Sequence, residues 1–170
     1  MIQADSYQKF LNSVADEISG DWLVIGGSLL AILGAHQRVT ADIDICPIEN
    51  MNNDLQLELM NLAVKCGLSI EAINPAADFF VKQIPNWKSS IVLLKKGHTG
   101  AIYRPSLELY FKLKLARCSE SDVADCSSFL EWYKKNSLSF DNLLIKKLVS
   151  DKYLKKPSEK LLEIIKDLSS

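Results

Sequence analysis

The sequence predicts an α/β (α+β) fold over residues 1–105, followed by an all-helical part over residues 106–170. Two observations carry this prediction. Before Pro105, short apolar or alternating runs bounded by glycine and proline are typical of strands, and amphipathic stretches with helical spacing lie between them. After Pro105, the apolar residues recur only at helical spacing. No Pro- or Gly-rich linker separates the two parts, so we expect the helical part to pack on the α/β core.

The first 105 residues alternate between strands and helices. In chain order, the predicted elements are a helix over residues 5–19, a buried strand over 22–25 that ends in Gly26-Gly27, a helix from an N-cap at Ser28 to about 35, a strand over 42–46, a helix over 53–66, a strand over 68–73, helical turns over 75–83, and a hairpin of strands 91–95 and 100–103. Serine is a preferred N-cap residue, which is why Ser28 is placed at a helix start.

The last 65 residues predict four helices. Their signals, in order, are a buried apolar face from Leu107 to Leu115, a capping sequence at 119–122 that opens a helix to about 135, a helical stretch over 139–153, and a final helix with Pro157 in its first turn and Leu161, Ile165 and Leu168 on one face. Proline fits the first turn of a helix because its missing N–H has no partner there.

The composition is that of an ordinary globular protein. The 170 residues are 48% hydrophobic and 24% charged, with a net charge of −1, which argues against a disordered chain. The four cysteines form no CxxC pair and lack nearby histidines, so we expect buried thiols rather than a zinc site. The sequence shows no signal peptide and no apolar run long enough to span a bilayer. We therefore expect a cytoplasmic protein without membrane contact.

A pair of carboxylates is the first chemically informative feature. In Asp42-Ile43-Asp44-Ile45 the polar and apolar residues alternate, so on a strand both carboxylates project from one face. Carboxylates about 7 Å apart along a strand are too far apart to share a proton easily, but they can jointly hold divalent cations. Oxygen ligands of this kind suit Mg²⁺ or Mn²⁺, and two such ions about 4 Å apart suit displacement at phosphorus.

A glycine-rich turn precedes this acidic pair. Gly26 and Gly27 let the backbone approach a ligand closely, and Ser28 opens a helix whose N–H groups favour an anion. The turn matches neither the GxxxxGK[ST] nor the GxGxxG pattern. The sequence therefore predicts a phosphate cradle and a metal site next to each other.

These two segments together resemble the nucleotidyltransferase superfamily typified by DNA polymerase β, whose signature is a GG or GS turn followed by an acidic DhDh pair. Arg38 and Thr40, which lie between the segments, match the RxTxDiDi form of small prokaryotic members. Those members include toxin-type nucleotidyltransferases of abortive-infection and toxin–antitoxin systems. The resemblance implies a mixed sheet flanked by helices, a nucleoside triphosphate (NTP) as substrate and Mg²⁺ or Mn²⁺ on Asp42 and Asp44. It also implies that Gly26, Gly27, Ser28, Arg38 and Thr40 contact nucleotide or phosphate.

A later segment resembles the same branch. Lys114 and Arg117 are followed by Asp122 and Asp125, as in the KhxxR…(K/R)DhxD helix pair of those proteins. The resemblance implies that Lys114 is a catalytic residue that contacts phosphate and neutralises the charge developing on it. It also implies that Arg117 binds phosphate and that Asp122 or Asp125 orients Lys114. The same four residues are equally typical of an ordinary salt-bridge set between two helices.

The superfamily usually adds a third carboxylate from a later strand. Glu71, on the predicted strand 68–73, is our candidate, as a metal ligand or a catalytic base, and Asp78 is the alternative. If neither reaches the metal site, we expect weak nucleotide binding or no reaction.

The net charge conceals two unequal halves. Residues 1–85 contain 4 basic and 11 acidic side chains, whereas residues 86–170 contain 16 basic and 10 acidic ones. The C-terminal lysines predict either a solvated helical face or a basic surface for an RNA acceptor such as tRNA. The lysines in question are Lys146, Lys147, Lys152, Lys155, Lys156, Lys160 and Lys166.

Three functions remain open at this point. The first is a metal-dependent nucleotidyltransferase acting on tRNA, another RNA or a protein, with a cognate antitoxin-like partner. The second is a catalytically degenerate protein of the same fold that binds without turnover, since fold does not imply function. The third is an adenylyltransferase acting on a small molecule.

Overall fold

The structure is a computed structural model that describes residues 4–35, 42–74 and 76–169. The chain divides into two compact units, Met1–Pro105 and Ser106–Ser170. Over the described residues, the first unit combines a sheet with helices and the second consists of helices and their connections. No helix in these ranges has the length and apolar character needed to cross a bilayer.

A mixed sheet organises the first unit. The strands are β1 (Gly20–Ile25), β2 (Ile43–Pro47), β3 (Ile73–Asn74), β4 (Ile91–Lys96) and β5 (Gly100–Pro105), in the spatial order β3-β2-β1-β5-β4. β1 pairs antiparallel with β2 and parallel with β5, while β2 pairs parallel with β3 and β4 pairs antiparallel with β5. The α/β class and the 91–103 hairpin are therefore confirmed.

The helices of the first unit cover this sheet. They are α1 (Ala4–Glu17), α2 (Gly26–Ile32), α3 (Asn53–Lys65) and α4 (Ala77–Lys82). Trp22, Leu23 and Val24 of β1 are fully buried. Because successive strand residues point to opposite faces, both faces of the central strand are covered. The chain becomes partly exposed only beyond the end of β1, at Gly26 and Gly27, where α2 begins.

Two local predictions in the first unit are wrong. α2 starts at Gly26, and its N-cap position is Ile25, so Ser28 is the third residue of the helix and not its cap. Residues 68–73 do not form a strand, because Ile70–Ala72 make a 3-10 turn and only Ile73–Asn74 pair with β2. The alternation of Leu68, Ile70 and Ala72 looked like a strand, but Ile70 is exposed.

The second unit consists of α5 (Leu107–Arg117), α6 (Glu120–Lys135), α7 (Asn142–Lys155) and α8 (Glu159–Asp167). A side-chain cap starts each helix, from Ser106, Ser119, Asp141 and Ser158 respectively. The predicted capping sequence at 119–122 is a complete capping box of Ser119 and Asp122. Pro157 precedes the N-cap of α8 and is not in its first turn.

Candidate functional site

A close approach between β2 and the first turn of α2 defines the candidate site. Ile25, the last residue of β1, pairs with Asp44 on β2, and α2 begins at the next residue, Gly26. Gly26 has φ +73°, and a Cβ built on it would overlap Asp44 Oδ2 and lie 2.8 Å from Asp44 Cγ. Only glycine accommodates both the left-handed backbone and the neighbouring carboxylate. The Asp44 carboxylate thus lies against the backbone where α2 starts.

Asn74 holds this carboxylate from the other side. It pairs with Asp44 in the parallel register of β2 and β3, and its Nδ2 donates to Asp44 Oδ1 at 2.7 Å. Sequence reasoning missed Asn74, because a two-residue strand is too short to show alternation and its partner lies 30 positions away. The only local signal is a polar residue between an apolar run and Pro75.

The glycine-rich turn presents backbone rather than a hydroxyl. Gly26 and Gly27 are half-buried, whereas Ser28 is fully buried. Ser28 Oγ donates to the Ile25 carbonyl at 3.1 Å. A phosphate contact through this hydroxyl would require that hydrogen bond to break. The predicted phosphate contact of Ser28 is therefore assigned to its backbone N–H and not to its side chain.

The other predicted carboxylates differ in their surroundings. Asp42 is exposed and directly precedes β2, while Glu71 is exposed on the 3-10 turn. Asp78 lies in α4 and pairs with Lys82 at 2.9 Å. Because Glu71 lies on this 3-10 turn, it is not on the strand that the prediction assigned to it. Among the described residues, no three His, Cys, Asp or Glu side chains come together as a group that could hold a metal ion.

Cys46 lies on β2 two residues after Asp44, and its surroundings include the carboxylates near this strand. Burial, and then the nearby Asp78 and Asp44 carboxylates, raise the pKa of the Cys46 thiol to about 12. The thiol is therefore neutral at physiological pH and acts as a small buried apolar group. Cys46 also shows that Asp78 of α4 lies near this face of β2.

In the second unit, four predicted residues form one ion-pair network. Lys114 Nζ lies 2.6 Å from Asp125 Oδ2 and 3.4 Å from Asp122 Oδ1. Arg117 donates from Nε and Nη2 to the two oxygens of Asp122 at 2.8 and 2.7 Å. The side chain of Lys114 is only 13% exposed. Both aspartates orient Lys114, and the network joins α5 to α6 as a salt-bridge set would.

The network controls the protonation of Asp122. Burial on its own raises the pKa of this carboxyl, but hydrogen bonds from Arg117 and Ser119 and the charge of Lys114 outweigh burial and hold the pKa well below its usual range. Asp122 is 1% exposed, so its charge is buried and compensated entirely by these neighbours.

Part of the C-terminal positive charge is used within the second unit. Lys156 Nζ donates to the Cys118 carbonyl at 2.8 Å, and Lys152 Nζ donates to the Ala116 carbonyl at 3.4 Å. Both contacts satisfy carbonyl groups at the carboxyl end of α5, where positive charge is favourable.

The predicted site residues Arg38 and Thr40 lie outside the described residues.

In comparisons with protein-family models, with curated proteins and with solved structures, nothing matches this chain.

The contact between Gly26 and Asp44 predicts unequal effects of alanine at two glycines. Gly26 and Gly34 both have positive φ, but a Cβ on Gly34 would meet nothing within 4 Å. We expect Gly34→Ala to lower the free energy of unfolding by about 1 kcal/mol through backbone strain. Gly26→Ala should cost about 1–3 kcal/mol more because it also overpacks against Asp44. Urea unfolding monitored by circular dichroism measures both, and equal losses would contradict the contact.

The network around Asp122 predicts a pH-dependent contribution to stability. Because its pKa is lower in the folded chain, the contribution is present above about pH 4 and is lost as the pH falls further. We expect Asp122→Asn to cost about 3 kcal/mol at pH 7, and this difference from the unmodified protein should shrink below pH 4.

Asp167→Asn is the matched control, since the Asp167 side chain is 46% exposed in its pair with Lys134 and should cost less than about 1 kcal/mol. The measurement is the urea concentration at the unfolding midpoint for the unmodified protein and both variants, at several pH values between about 7 and about 2.5. A difference for Asp122→Asn that stays constant down to pH 2.5 would overturn this account of the network.

Proposed function

We propose that this protein is a divalent-cation-dependent nucleotidyltransferase, which transfers a nucleoside monophosphate from an NTP to a hydroxyl or phosphate of an acceptor and releases pyrophosphate. One observation carries the proposal: the Asp44 carboxylate lies against the backbone at Gly26, where β1 turns into α2. A hard anionic ligand is thus next to a turn whose two glycines allow a phosphate to approach the backbone closely.

The charges at this turn explain why a cation belongs to the proposal. A triphosphate brought to Gly27 meets the negative charge of Asp44, and the two repel each other. Carboxylate and phosphate oxygens are the ligands that Mg²⁺ and Mn²⁺ prefer. We assign the cation to Asp44 together with Asp42, which is exposed directly before β2. Bound there, the cation would offset charge on the phosphates during transfer.

The remaining roles follow from the resemblance. Gly27 and the backbone of Ser28 are assigned to the phosphates, and Arg38 and Thr40 to the nucleotide. For Lys114 and Arg117, the ion pairs with Asp122 and Asp125 support a role in joining α5 to α6, and their contact with phosphate stays a prediction.

The acceptor is proposed from charge. Lys147, Lys155 and Lys160 are exposed on α7 and α8, and such side chains favour a polyanion such as tRNA or another RNA. A protein acceptor and an antitoxin-like partner are the other proposals that the resemblance supports.

A second candidate function is binding of a nucleotide without turnover. The observation that favours it is Asn74, which places an uncharged amide beside Asp44 where a further carboxylate would be expected in an active site. The transfer experiment below separates the two candidates.

We expect the protein to transfer label from an α-labelled NTP to RNA or protein in a cell extract when Mg²⁺ or Mn²⁺ is added. Asp44→Asn removes the charge with little change in volume and should lower transfer about 100-fold or more, because the cation loses its main ligand. All four NTPs are tested separately, and the labelled product is digested with ribonuclease or protease to identify the acceptor.

The control for this experiment is Asp167→Asn, which removes an exposed carboxylate that is paired with Lys134 and has no assigned role in the site. Its transfer rate should stay within a few-fold of the unmodified protein. Nucleotide binding without transfer by any of the four NTPs would favour the second candidate. If the protein shows no nucleotide binding and no transfer, the proposed function is refuted.

A further inference from the structure

Two exposed aromatic side chains on α4 carry a further inference, which rests on the proposed function. Phe79 and Phe80 are 67% and 61% exposed, although phenylalanine is a residue that folding normally buries. We propose that these two rings form an aromatic platform on which the base of the bound NTP stacks. The platform holds the base by its flat face, which all four bases share, so it implies an enzyme with little selectivity among NTPs.

The local structure of α4 explains why both rings face solvent. Ala77 and Val81 lie four positions apart, so they share one side of the helix, and both are buried. Phe79 and Phe80 fall on the other sides of the same turn. Their ring centroids are 5.5 Å apart and their planes meet at 82°, which is an edge-to-face pair. Such a pair covers at most one ring face, so flat aromatic surface remains for a ligand.

The start of α4 is joined to the candidate site by two hydrogen bonds. Asn74 Nδ2 donates to Asp44 Oδ1 at 2.7 Å, and Asn74 Oδ1 accepts from the Ala76 N–H at 3.1 Å. Ala76 is the N-cap position of α4, and the helix contacts β2. Phe79 and Phe80 follow about 4.5–6 Å further along the helix axis. The aromatic platform is therefore near the turn to which the phosphates are assigned.

The charges around the aromatic platform favour a neutral planar group over a polyanion. Asp78 and Lys82 are the charged residues of α4, and they pair with each other at 2.9 Å, so the helix offers no net positive charge. Residues 1–85 contain 4 basic and 11 acidic side chains, which oppose the approach of an RNA strand. A base carries no charge and is not repelled. The platform therefore suits the base of a single nucleotide rather than an RNA acceptor.

The size of the aromatic platform also favours a base over a protein partner. A phenylalanine side chain buries about 150–250 Å², so at these exposures the two rings together present roughly 200–300 Å². A stable protein interface uses about 800 Å² on each partner. The apolar surface does not continue along α4, because its remaining residues are either buried or charged. This area matches one planar ligand.

The test is isothermal titration calorimetry of the full chain with Mg²⁺ and two ligands, a non-hydrolysable ATP analogue and inorganic tripolyphosphate, which lacks a base. The double variant Phe79→Leu with Phe80→Leu keeps apolar side chains but removes both rings. We expect it to bind the ATP analogue about tenfold or more weakly than the unmodified protein, as loss of one base–aromatic stack predicts. Its affinity for tripolyphosphate should be unchanged.

Two kinds of control separate stacking from a general effect. The single variants Phe79→Trp and Phe80→Trp keep an aromatic surface and should bind the ATP analogue at least as tightly as the unmodified protein. Leu57→Ala removes another exposed apolar side chain, 59% exposed on α3, and should change neither affinity. Far-UV circular dichroism verifies that each variant is folded. Analogues of the other three NTPs should bind the unmodified protein within about tenfold of the ATP analogue.

The inference is overturned if the double leucine variant binds the ATP analogue as tightly as the unmodified protein does. It is also overturned if this variant loses affinity for tripolyphosphate to the same degree, since the rings would then act on something other than the base. In both cases the analogue still binds the unmodified protein and the proposed function stands. If neither ligand binds the unmodified protein, the proposed function fails and the aromatic platform fails with it.

Discussion

The position of the Asp44 carboxylate against the backbone at Gly26 is the constraint on which the rest of the candidate site depends. The antiparallel register of β1 and β2 sets Asp44 opposite Ile25, so the carboxylate meets the chain where it leaves the sheet. The left-handed backbone and the missing side chain at Gly26 are both needed for this approach. Burial of β1 on both faces fixes the strand end, and thereby the geometry of the turn.

The two units use ionised groups in different ways. In the second unit, Asp122 and Asp125 are nearly fully buried and compensated by Lys114 and Arg117, and removing one partner of such a network leaves a costly buried charge. At the candidate site, the uncharged amide of Asn74 donates to Asp44. The proposed chemistry is assigned to Asp44 because its carboxylate lies against the backbone at Gly26.

The sequence predicted the elements whose signal is local and long. The amphipathic helix α1, the hairpin of β4 and β5 and the capping box of Ser119 and Asp122 all follow from spacing, turn residues or caps, and all were predicted. The start of α2 was predicted three residues too late, because Ser28 is a good cap residue but the N-cap position is Ile25 and the left-handed Gly26 already begins the helix. The contact of Asn74 with Asp44 could not be predicted, because it depends on a two-residue strand that pairs with β2 across 30 positions.

The most direct measurement of the central claim is a crystal structure of the protein with Mn²⁺ and a non-hydrolysable NTP analogue, in which anomalous scattering locates the ions. The account predicts an anomalous peak at the Asp44 carboxylate and the triphosphate at the Gly26-Gly27 turn. No anomalous peak at Asp44, or a triphosphate bound away from this turn, would contradict it.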